Sequence, residues 1–140
     1  MAIDPFVDAP TAAAPPKSIS SVAETKRWLA EGRARLAAGS FAAARRAFER
    51  VLAEQPRHVA ALAGLARTAY EEGDYVEAAR FAERAVAHAP KKADNVLLLG
   101  DAYFKSFRYA DAEAQYRRAF ELGHGSAASR LAKVAAKSKR

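Results

Sequence analysis

Three stretches of the chain resemble one another at a fixed interval of 34 residues, and that interval restricts the folds open to it. Residues 37–56 read AAGSFAAARRAFERVLAEQP, residues 71–90 read EEGDYVEAARFAERAVAHAP, and residues 105–124 read KSFRYADAEAQYRRAFELGH. Phe41, Tyr75 and Tyr109 fall in register, as do Ala44, Ala78 and Ala112; Gly39 matches Gly73, and Pro56 matches Pro90. Each copy is an amphipathic helix behind a short turn, with a second helical pattern between copies. A repeat of this length marks a helical array. One helix pair cannot bury its own apolar face, but stacked pairs bury each other's. The expected fold is therefore all-α, an α-solenoid of antiparallel helix pairs.

Each recurring column has a physical reason. Gly32, Ala66 and Gly100 lie on the first helix of each pair and Ala44, Ala78 and Ala112 on the second. Small side chains at both places let two helix backbones approach closely. Phe41, Tyr75 and Tyr109 open each second helix and can wedge between neighbours. Pro56 and Pro90 lack the N–H that would continue a helix, so they end one repeat and start the next. Ser21 followed by Glu24 reads as a capping box, placing the start of order at SVAE, with Trp28 opening the first apolar stripe. After GHGS at 123–126, the segment Ala127 to Lys137 sets Leu131 and Val134 with Ala128 and Ala135 on one face. A closing helix for the open end of the stack is expected there.

On these residues the chain resembles the tetratricopeptide repeat family, in frames 25–58, 59–92 and 93–126. That family's pattern is W-x2-L-G-x2-Y, then A-x3-F, then P. The first frame supplies Trp28, Gly32, Ala44, Phe48 and Pro56; the second Leu62, Leu65, Ala66, Ala78 and Pro90; the third Leu99, Gly100, Tyr103, Ala112 and Tyr116. Departures are Glu31 and Arg35 in the first repeat, Ala82 for an aromatic, Phe107 for a turn glycine and His124 for the closing proline. A polar Glu31 and Arg35 suit a repeat with nothing stacked before it.

The resemblance implies a right-handed superhelix of about seven helices whose first helices line a concave groove for a segment of a partner protein. Helical spacing assigns that face to Lys26, Leu29, Arg33 and Leu36, then Ala60, Ala63, Arg67 and Tyr70, then Asp94, Leu97, Asp101 and Phe104. The expected peptide groove is Leu29, Arg33, Leu36, Ala63, Arg67, Tyr70, Leu97, Asp101, Phe104 and Lys105. Leu36, Tyr70, Leu97 and Phe104 would form an apolar shelf, while Arg33 and Arg67 read a carboxylate or carbonyl, helped by Lys105. The structural alternative pairs Arg33 with Glu71 or a neighbouring acid and Arg67 with Asp101. The family's clamp for chaperone C-terminal carboxylates would fall on Leu29, Arg33, Gly64, Asp94 and Leu98, where only Arg33 is basic. That composition argues against chaperone-tail binding.

Composition removes other classes. With no cysteine and three histidines that share no helical face, neither thiolate chemistry nor a zinc site is expected, and no cofactor or catalytic constellation is read. No secretory signal or membrane-length apolar run is present, so a cytoplasmic protein without a membrane span is expected. Residues 1–17 hold Pro5, Pro10, Pro15 and Pro16 among small residues and read as a disordered Ala/Pro linker or expression remnant. Residues 18–140 then form the repeat domain, an Ala/Arg-rich module of a larger, bacterial protein. The formal charge of +7 is concentrated in Arg130, Lys133, Lys137, Lys139 and Arg140, with no acid in the last fourteen residues. That tail offers an alternative, contact with a polyanion such as nucleic acid or a membrane surface, although no aromatic is interleaved for base stacking. Self-association through the ends of the stack is the other alternative.

Overall fold

The computed structural model describes residues 19–138, and these form seven helices with no strand among them. The linker expected over residues 1–17, and Lys139 and Arg140 of the basic tail, lie outside the described residues. The helices are α1 (Ile19–Ala37), α2 (Phe41–Glu54), α3 (Val59–Glu72), α4 (Tyr75–His88), α5 (Ala93–Lys105), α6 (Tyr109–Glu121) and α7 (Ala127–Ser138). Each packs on its chain neighbours; α1 also touches α3 and α3 touches α5, whereas α2, α4 and α6 make no comparable contact with one another. The odd helices therefore crowd together on an inner, concave side and the even helices splay on an outer one.

Sequence explains the turns. At the turn inside each repeat the chain enters the left-handed region at one residue: Gly39, Gly73 and Phe107 have φ of +79°, +87° and +65°. The next N–H reaches back to close the helix end, Ser40 to Arg35 O, Asp74 to Ala69 O and Arg108 to Tyr103 O, at 2.8–2.9 Å. This geometry suits glycine, which has no Cβ to clash with the following carbonyl. Phe107 adopts it at a cost of about 1–2 kcal/mol, with its ring 77% exposed. Asp74 adds a side-chain cap by accepting the N–H of Glu77, while α2 and α4 end two residues before Pro56 and Pro90.

The helix start expected at Ser21 is not where the helix begins: α1 starts at Ile19, so the Ser21 backbone is already helical. Glu31 and Arg35 pair with each other across one turn at 2.7 Å. The half-buried Trp28 lies beneath the Arg50 guanidinium, 4.8 Å from the ring centre.

The small residues of the first helices serve rings more than backbones. A Cβ on Gly32 would lie 2.6 Å from the Phe48 ring, one on Gly64 2.4 Å from the same ring, and one on Gly100 2.7 Å from Tyr116. Phe48 is thus seated between a glycine of its own repeat and a glycine of the next. In the second repeat, where Ala82 replaces the aromatic, the matching small residue is Ala66, and both are buried. Phe81 packs against both apolar clusters there.

Polar links tie the repeats at the same interval. Arg84 donates to Pro56 O and Arg118 to Pro90 O, at 3.4 and 3.0 Å. Tyr103 donates its hydroxyl to Glu83, and burial with that carboxylate pushes the phenol up to about 12. Closing helix α7 buries Ala127 and Val134 and half-buries Leu131, whereas Ala128 and Ala135 face solvent, contrary to expectation. Its inner face instead runs through Arg130.

The ring seats generate a test. Gly100→Ala gains up to about 1 kcal/mol in helix propensity, but its Cβ meets a Tyr116 ring that cannot retreat, because the hydroxyl donates to Asp101 at 2.6 Å. Overpacking of this kind costs about 1–3 kcal/mol. Thermal unfolding of Gly100→Ala should fall several degrees below the unsubstituted chain. Equal melting of Gly100→Ala and the parent chain would contradict the seating.

Candidate functional site

The ten residues expected to line the groove do not form one surface. Arg33, Leu36, Ala63 and Arg67 converge where α1, α3 and the start of α5 meet, and Tyr70, Asp101, Phe104 and Lys105 converge where α3, α5 and α7 meet. Leu29 and Leu97 are each only 8% exposed and belong to the core, so neither offers a shelf. The cause is the position of α5: neighbours cover it on several sides, and every residue from Asn95 to Tyr103 is buried. Only its two ends reach the concave face.

The first hollow encloses about 560 Å³ and is continuous with a shallower one of about 580 Å³ through Arg33, Leu36 and Arg67. Its floor is apolar, made by Leu36, Phe48, Val59, Ala60 and Ala63. Gly64 belongs to that floor, because the missing side chain leaves the Phe48 ring in view. Around the rim stand Arg33, Arg67, Lys92 and Asp94. Neither Arg33 nor Lys92 has a carboxylate partner among the described residues. Arg67 lies 3.7 Å from Glu71, so the expected alternative pairing of Arg67 with Asp101 does not occur. Asp94 receives the His124 Nε2 hydrogen at 2.8 Å, while His124 Nδ1 accepts from Ser126 N.

One wall residue was missed in the sequence. Asn95 is 7% exposed and lines this hollow, and its fully buried Nδ2 has no acceptor among the described residues. A buried amide donor without a partner costs about 1–3 kcal/mol. The available signal was a lone Asn inside the apolar run ADNVLLLG.

In the second hollow, of about 300 Å³, the one carboxylate is already engaged. Asp101 accepts from Arg130 Nε at 2.8 Å and Nη2 at 3.2 Å, and from the Tyr116 hydroxyl at 2.6 Å. Burial and that carboxylate push the Tyr116 phenol far above its usual range. Arg130 was read as part of a free basic tail; it is pinned to the third repeat. Lys133, another tail cation, sits 5.7 Å from the centre of the Phe104 ring. Matching stacks place Arg67 5.9 Å from Tyr70 and Lys105 5.8 Å from Tyr75.

At the other side of the first hollow, His58 caps α3: its Nδ1 accepts the N–H of Ala61 at 3.3 Å. Burial lowers the His58 pKa from its usual 6.5, and the Arg33 charge lowers it further. Neutral His58 is thus favoured by the fold, so its contribution is complete above about pH 6.5 and is lost as pH falls through the lowered folded value. His58→Asn keeps an acceptor that does not titrate. Between about pH 7.5 and about pH 5, the melting temperature of His58→Asn should fall less than that of the parent chain. The cap is worth about 1 kcal/mol, and equal falls in the two chains would show that His58 contributes none of the pH dependence.

Comparison with known proteins fits this geometry. Two sequence models of the tetratricopeptide repeat match residues 29–93 and 69–137, together covering most of the chain. No curated protein matches it by sequence. Among solved structures, the Sgt2 TPR domain from Aspergillus fumigatus superposes with a TM-score of 0.79 at 24% identity, over 83% of this chain and 80% of that one. The first TPR of Spaghetti (RPAP3), bound to the HSP90 peptide SRMEEVD, gives 0.80 at 17% identity, over 84% and 94%. An O-GlcNAc transferase from Thermobaculum terrenum gives 0.78 at 28% identity, with 84% of this chain covering 23% of that chain. At these identities the first two matches speak to the fold alone.

Proposed function

Because the chain belongs to the tetratricopeptide repeat family, we propose that it is a protein-interaction scaffold whose concave face receives an extended, acidic segment of a partner protein. The observation that carries this is the state of the first hollow's polar groups. Arg33 and Lys92 stand over an apolar floor, and neither has a carboxylate partner among the described residues. An acidic peptide supplies what the hollow lacks: carboxylates for the cations, and apolar side chains for the floor formed by Leu36, Ala60 and Ala63. The peptide-bound Spaghetti domain, of similar fold, supports a peptide-holding role.

In this reading repeats 25–58, 59–92 and 93–126, with the closing segment 127–140, act as one binding module that carries out no chemistry of its own. Affinity comes from shape and a few anchors, as interfaces generally concentrate their energy in a few residues. Arg33 and Arg67 fix the direction of the segment, since a guanidinium grips a carboxylate along two parallel hydrogen bonds. Tyr70 and Phe104 continue the apolar strip towards the third repeat.

Selection from a peptide display library on the full chain tests the proposal. Peptides enriched on the parent chain should carry at least one acid and bind tenfold or more weakly to Arg33→Glu/Lys92→Glu, while Arg46→Glu, on the outer helix α2, retains them. Asn95→Leu should melt higher, since the unpartnered amide no longer costs about 1 kcal/mol or more. Enriched peptides indifferent to all the groove variants would refute the reading.

A further inference from the structure

We infer that the second hollow, between α5 and α7, is an oxyanion subsite for a carboxylate or phosphate monoester, with Lys105 and Lys133 supplying the charge and Arg130 the directed hydrogen bonds. Three cations and one carboxylate line this space. The carboxylate, Asp101, is only 8% exposed and is consumed by three internal hydrogen bonds, two from Arg130 and one from Tyr116. Lys105 and Lys133 have no carboxylate partner among the described residues. Their ammonium groups lie over rings, with Nζ 5.8 Å from the Tyr75 centre and 5.7 Å from the Phe104 centre. The rings restrict where each ammonium can go, so less freedom is lost when an anion arrives.

Arg130 is what makes the space a site. Asp101 holds its Nε and Nη2, leaving the Nη1 edge of the same rigid plane with no acceptor among the described residues. A guanidinium gripped on one edge presents the other in a fixed direction, and a carboxylate or phosphate is the group that matches it. The arrangement also restores a pattern. Arg33 and Arg67 occupy equivalent positions of the first two repeats, and the third has Asp101 there. By binding Arg130, Asp101 brings a guanidinium from α7 to the place its own repeat lacks. The closing helix thereby becomes part of the concave surface.

This assignment uses only the second hollow's own groups, so it stands or falls separately from peptide binding in the first. The test is an amide-shift titration of the full ¹⁵N-labelled chain with phenyl phosphate and, separately, with acetate, at constant ionic strength. Saturable shifts are expected at Phe104, Lys105, Arg130 and Lys133 with at least one probe. Lys133→Gln and Lys105→Gln should each weaken that binding several-fold, and Lys133→Arg should restore it; unchanged Val134 signals would verify that α7 remains docked. The probe that saturates at the lower concentration identifies the anion, phosphate or carboxylate. Shifts that fail to saturate with either probe, that scatter over surface cations such as Arg46 and Arg80, or that persist in Lys133→Gln would overturn the assignment.

Discussion

The concave face depends on how closely neighbouring helices approach, and at α1–α2, α2–α3 and α5–α6 that spacing is set by aromatic rings lodged against glycines. Phe48 lies between Gly32 and Gly64, and Tyr116 lies on Gly100. A β-carbon at any of these positions would overlap a ring, so α2 can pack on α1 and α3, and α6 on α5, as tightly as they do only because those side chains are missing. Gly64 has a second consequence, since the missing side chain opens the floor of the first hollow down to Phe48. One packing device thus sets both how closely these helices approach and how deep the first hollow runs.

Charge is distributed over that frame with a clear asymmetry. The acids near the groove are mostly engaged within the protein: Asp101 with Arg130 and Tyr116, Asp94 with His124, Glu71 near Arg67. Arg33, Lys92, Lys105 and Lys133 are not matched in this way. Exposed pairs such as Glu31 with Arg35 contribute little to stability, but unmatched cations along a concave surface favour acidic partners and speed their arrival. The cations of α7 take part in this pattern. With Arg130 held by Asp101 and Lys133 lying on Phe104, the helix meets the third repeat through its charges as well as through Ala127 and Val134.

Much of this was legible in the sequence because repetition is a long-range signal. The interval between Pro56 and Pro90, the register of Phe41, Tyr75 and Tyr109, and the turn glycines each report the same unit, and the helix boundaries follow. The groove was legible only in half. Helical spacing placed Arg33, Leu36, Ala63 and Arg67 correctly as neighbours, but it could not tell that α5 is covered on several sides, which takes Leu97 into the core. Asn95 escaped notice because an apolar run gives no hint which of its members faces a cavity. Arg130 was misread for a related reason: its partner Asp101 is distant in sequence, and a charge near a chain end looks solvated unless the fold that meets it is known. Periodicity reports faces, whereas pairings across repeats depend on three-dimensional packing.

The central claim is that the crowded side of the stack, formed by α1, α3 and α5, is where a partner's segment lies. A crystal structure of the chain with a peptide enriched from the display library tests it most directly. The expected result is a peptide running along those three helices, with a carboxylate at Arg33 or Lys92. A peptide bound across α2, α4 and α6, or held by α7 alone, would contradict it.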